Sequence, residues 1–96
     1  MNIERIRKME RHLDHASQAV MQLAAAIDAY EAVQISLKEL SEYYGSKEWK
    51  QDLADDEAGH LPKELKRGVL SEDGIWNLLS YNKELVERLR IFGKQS

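Results

Sequence analysis

Residues Asp52 to Leu61 read DLADDEAGHL, and Asp52, Asp55, Asp56 and His60 form the densest group in the chain able to bind a metal or move a proton. In a helical turn the three aspartates share a face, with Glu57 turned away and His60 one turn beyond Asp56. Such a set would suit a hard divalent cation, Mg²⁺, Ca²⁺ or Mn²⁺, which needs several oxygens converging on one point. The calcium-loop pattern of alternating Asp or Asn, a central Gly and a distant Glu is absent. The competing reading is a solvated acidic face whose carboxylates pair with Lys63, Lys66 and Arg67 across the turn. That second reading is preferred, so no metal and no cofactor is assigned. A divalent-metal-binding regulator or small metal-dependent enzyme using Asp52, Asp55, Asp56 and His60 stands as the alternative.

Other groupings carry less chemistry. His12 and His15 are three apart, but a metal site needs a third ligand at suitable spacing. Asp55 with Glu57, or Glu72 with Asp73, would pair as acid and base only inside a concave apolar pocket that shifts a pKa, and nothing in the pattern builds one. No serine sits in a nucleophile elbow and no glycine-rich phosphate loop occurs. The absence of cysteine removes disulfides and thiolate ligands. The chain is therefore read as having no enzymatic activity.

The elements that position these residues follow from periodicity. The 96 residues suffice for one helical domain, 1–96, with a modest core. Apolar residues recur at Ile6, Met9, Leu13, Ala16, Val20, Leu23, Ile27 and Tyr30 in unbroken 3-4 spacing. The pattern then steps by three to Val33 and resumes at Leu37, Leu40 and Tyr44, a stammer expected to overwind one helix running from about 2 to 44. Ala24, Ala25, Ala26 and Ala29 favour that helix, and neither Gly nor Pro occurs before Gly45. A second helix is expected over about 72–92, capped by Ser71 with Glu72 and Asp73 at its positive end and closed by Gly93. Its stripe is Ile75, Leu78, Asn82, Leu85, Leu89 and Phe92. The irregular centre, 45–70, should hold a short helix at about 62–67 between Pro62 and Gly68. It should also fold back on Trp49, Leu53, Leu61, Leu65, Val69 and Leu70, since so long a structureless loop is unusual. Trp49 and Trp76 are both read as core residues. The fold class is all-α: a long N-terminal and a shorter C-terminal helix in an antiparallel, coiled-coil-like hairpin with a packed irregular centre.

In such a hairpin the second helix ends beside about Met21, leaving Ile3, Ile6, Met9, Leu13, Ala16 and Val20 as an uncovered seam. A second copy of the same overhang is the simplest cover, so a homodimer with a four-helix section is expected.

The centre also carries a resemblance. YYGSKEW at Tyr43 to Trp49, followed by Asp52, Asp55, Gly59, Leu61-Pro62, Leu65 and RGVLSED at Arg67 to Asp73, resembles a family of small bacterial proteins known as domain of unknown function 4298. The likeness extends over nearly the whole chain. It implies a helical fold with a long N-terminal helix, this centre and a C-terminal helix, and it implies no activity and no site residues.

Charge narrows the partners. The net charge is −3, with +4 and −3 over residues 1–27, +3 and −9 over 28–57 and +7 and −5 over 58–96. Arg5, Arg7, Lys8 and Arg11 are scattered around the first helix among Glu4 and Glu10. No clustered basic footprint results, so no nucleic-acid partner is expected. The longest apolar run, LAAAI at Leu23 to Ile27, is far too short for a bilayer, and the charged N-terminus does not read as a signal peptide. No membrane partner and a cytoplasmic location are expected. The reading as a whole is a homo-oligomeric interaction or regulatory module that captures an unidentified protein with its centre. The candidate surface is Tyr43, Tyr44, Trp49, Asp52, Asp55, Leu61, Pro62, Leu65, Arg67, Ser71 and Asp73.

Overall fold

The computed structural model describes residues 1–95 and is all-helical. It has four α-helices, α1 (Ile3–Ala32), α2 (Gln34–Tyr43), α3 (Lys47–Glu57) and α4 (Gly74–Gln95), with a single 3₁₀ turn at Gly68–Leu70. No strand occurs among the described residues, and the N-terminal helix is the longest of the four. The chain divides into two compact units, Met1–Gln34 and a second beginning at Ile35.

The first unit is essentially α1. The Asn2 side chain accepts from the Arg5 backbone N–H at 2.9 Å and so occupies one of the donors orphaned at a helix start. Its apolar residues keep to one stripe, yet none of its thirty residues is buried. The helix does not run on to Tyr44 as expected. At Val33 the backbone leaves α geometry, with φ −99° and ψ 7°. The Val33 N–H donates to the Tyr30 carbonyl at 3.2 Å, a tightened i→i+3 bond. The Gln34 side-chain amide donates to the same carbonyl at 3.0 Å. The three-residue step from Tyr30 to Val33 in the stripe is therefore accommodated by local overwinding sharp enough to interrupt the helix.

In the second unit, Gly45 and Gly59 punctuate the chain. Both have positive φ, 79° and 76°, where a β-carbon is disfavoured. Gly45 ends α2, and the Ser46 hydroxyl immediately caps α3 by accepting from the Trp49 N–H at 3.1 Å. Gly59 ends α3, where the His60 N–H returns to the Asp55 carbonyl at 3.0 Å. Helix α3 occupies sequence that had read as irregular, because Trp49 and Leu53 alone make too short an apolar stripe to declare a period.

The short helix expected at 62–67 does not form. A turn closes there instead, with the Leu65 N–H donating to the Pro62 carbonyl at 3.2 Å. Five residues between a proline and a glycine are too few to repay helix nucleation. The chain then enters the 3₁₀ turn that delivers Leu70 inward. The Ser71 hydroxyl donates to the Gly68 carbonyl at 2.7 Å and accepts from the Gly74 N–H at 3.0 Å. It performs the expected capping, although regular α geometry begins two residues later than the expected start at 72.

Leu70 and Ile75 are the buried hydrophobic residues, at 7% and 3% exposure. They flank the Ser71 turn, so the centre of the core coincides with the junction between the 3₁₀ turn and α4. Three expectations of packing are corrected. Trp76 is 56% exposed, because it sits a helical step from the inward-facing Ile75, and Leu65 and Val69 are exposed as well, so that of the apolar residues in the returning chain Leu70 is the one delivered inward.

Candidate functional site

The stretch from Tyr43 to Gly74 is tied together by side chains from its two ends. The Tyr43 hydroxyl donates to Asp52 Oδ2 at 2.6 Å, joining the end of α2 to the middle of α3. This bond to a carboxylate, then partial burial, then the negative charge of Asp52 itself, push the Tyr43 pKa up to about 12. One turn further along α3, Asp56 accepts from Arg67 Nη1 at 2.7 Å and fixes the returning chain just before the 3₁₀ turn. The Trp49 indole N–H donates to the Val69 carbonyl at 3.0 Å, and the ring meets Tyr44 edge-on with centroids 5.0 Å apart. Four bridges thus convert an irregular segment into a clasp around Leu70.

The acidic cluster is dispersed among these bridges. Asp52 serves Tyr43 and Asp56 serves Arg67. Asp55 accepts from the Gln51 side chain at 3.2 Å, and its carboxylate lies 3.7 Å from His60 Nδ1. Among the described residues no three His, Asp or Glu side chains come together in a way that could hold a metal ion. The physical reason is that Asp52, Asp55 and Asp56, though neighbours on α3, each have a partner in a different direction. His12 and His15 lie exposed on α1.

The remaining expected surface residues divide between the clasp and the solvent. Leu61 is half-buried, whereas Pro62 and Leu65 are exposed. Ser71 is engaged in its turn, and Asp73 contributes its carbonyl to the Asn77 N–H at 2.8 Å while its side chain stays outside. Two shallow depressions border the clasp. One, of about 390 Å³, is walled by Leu40, Val69, Ile75 and Leu78 with Lys66 alongside. The other, of about 270 Å³, includes Tyr43, Asp52, Leu61, Leu65 and Arg67. The seam residues Ile3, Ile6, Met9, Leu13, Ala16 and Val20 are all exposed on α1.

One residue that matters here escaped the sequence reading. A β-carbon on Gly74 would lie 2.6 Å from Ser71 Oγ and closer still to the Gly68 carbonyl oxygen. Only glycine permits the 3₁₀ turn and the start of α4 to approach so closely. Its signal was a glycine directly after SED, in the first turn of an expected helix, where glycine is costly unless backbone must come near.

No helix among the described residues is long and apolar enough to cross a membrane. No curated protein and no solved structure matches the chain. The model of one family, described as a domain of unknown function, matches residues 6–91 and so takes in the whole clasp together with most of α1 and α4. The chain belongs to that family, DUF4298.

Proposed function

We propose that the protein is a non-enzymatic interaction module, a homodimer joined along α1 that uses the outer face of its clasp to hold another protein in the cytoplasm. The observation that carries this reading is the seam of α1. Ile3, Ile6, Met9, Leu13, Val20, Leu23 and Ile27 stand in register along it and are each between 47% and 66% exposed. A helix cannot bury its own stripe, and most helical stability in proteins comes from packing of that stripe. With on the order of 80 Å² open on each of these side chains, two seams facing one another would withdraw about 1,100 Å² from water, enough for a specific interface.

The clasp supports the second half of the reading. Tyr43 with Asp52, Arg67 with Asp56 and Trp49 with the Val69 carbonyl brace it as a platform. The apolar walls formed by Leu40, Val69 and Leu78 and the exposed Trp76 and Leu65 are of the kind that anchors a partner. The deciding experiment is light scattering over a wide concentration range. A mass of twice 11.1 kDa that survives dilution supports the homodimer, and a mass of one chain at all concentrations overturns it.

A further inference from the structure

The charges of α1 are ordered along the helix. Arg5, Arg7, Lys8 and Arg11 all fall in its first turns, and no lysine or arginine occurs again until Lys38. Three acids share that stretch, Glu4, which Arg7 engages at 3.2 Å, with Glu10 and Asp14, so the end is basic by a single net charge. The other end carries Asp28 and Glu31, and the last turn holds no basic residue. This order opposes the helix macrodipole, which favours anions at the N-terminus and cations at the C-terminus. Within one helix the arrangement is unfavourable. It becomes favourable when a second α1 runs alongside in the opposite direction, setting each basic end level with an acidic end and opposing the two dipoles.

Resting on the homodimer reading, we propose that the two α1 helices pair antiparallel, symmetric about Gln18. The seam runs between two fixed points, the Asn2 cap and the overwound turn at Val33. Symmetry about Gln18 matches its layers throughout: Ile6 with Tyr30 of the second copy, Met9 with Ile27, Leu13 with Leu23, and Ala16 with Val20. Parallel pairing would set Tyr30 beside Tyr30 and Ala16 beside Ala16, crowding one layer and leaving a void in another. It would also align both basic ends and both dipoles.

The absence of cysteine makes the test direct. A spin label is attached to Ala29→Cys in the full chain, an exposed position off the seam whose substitution alters no charge. In the antiparallel dimer the two labels stand about 33 Å apart along the axis, at 1.5 Å per residue over 22 residues. In a parallel dimer they lie side by side, within roughly 20 Å, given helix axes about 10 Å apart. Electron–electron distance measurement on a sample of dimer mass should return the long distance. The short one overturns the antiparallel arrangement and leaves the homodimer standing. A monomer mass for the labelled and unlabelled chains alike removes the homodimer and this arrangement with it.

Discussion

Helix α1 and the segment from Tyr43 to Gly74 use their residues in opposite ways. Along α1 the apolar side chains repeat for four heptads, none of them is buried, and the side chains of Asn2 and Arg7 bond only to neighbouring turns, as where Arg7 donates to Glu4. The clasp has no period worth the name, yet it holds Leu70 and the long-range bonds of Tyr43, Trp49 and Arg67. Repetition leaves an apolar face open to something outside the unit. Irregularity supplies closure within it. If this contrast is right, substitutions in the two regions should fail by different routes.

The largest expected effect lies on α1. Leu13→Asp combined with Val20→Asp would bury two carboxylates from each copy at the seam of the proposed dimer. Its Kd should rise at least a thousand-fold, about 4 kcal/mol, while near-ultraviolet circular dichroism from Trp49 stays unchanged. Loss of both signals together would mean that the clasp depends on α1 and the contrast is false. Next is Ile75→Ala, which opens a cavity under the clasp and should cost about 2–4 kcal/mol in urea unfolding. Sedimentation should still show the dimer. A smaller change, about 1 kcal/mol, is expected for Arg67→Ala, since the pair with Asp56 is charge-assisted but partly solvated. Its signature is a local one, faster hydrogen exchange over residues 61–71 than over α1.

The same contrast explains what could be read in advance. The α1 stripe, the Asn2 start, the stammer at Val33 and the Ser71 cap are local or periodic, and each left a trace in spacing or residue type. That the stammer would interrupt the helix was not visible, because overwinding and breaking differ by the fate of single carbonyls, here that of Tyr30. Helix α3 was obscured by its polarity: Ser46 and Glu48 announce a start, but five carboxylates against Trp49 and Leu53 do not look like a packed element. The bridges themselves join residues far apart in sequence, 20 positions between Trp49 and Val69. No local pattern encodes such a pair. The acidic residues were legible as a cluster and their distribution among partners was not.

Two further tests sharpen the reading of that cluster. Tyr43 has its pKa raised in the folded chain, so its contribution to stability is full below the ordinary tyrosine value. It is lost as the pH climbs through about 12. Absorbance titration should show a tyrosine ionising late. Asp52→Ala, by removing the acceptor and its charge, should bring that late step back toward the ordinary tyrosine value.

The smallest expected effect is that of divalent ions. A Mg²⁺ or Mn²⁺ site on α3 would need Asp52, Asp55 and Asp56 to turn toward one point. To do so Asp52 would release Tyr43 and Asp56 would release Arg67, opening the clasp on both sides of Leu70. Binding energy would be spent against the fold, so millimolar metal or its removal by EDTA should move the melting temperature by less than about 1 °C. A rise of several degrees, abolished by Asp55→Asn, would show that the carboxylates regroup at little cost. The clasp would then be the adaptable region of the molecule and α1 the rigid one, the reverse of the contrast drawn from their bonding.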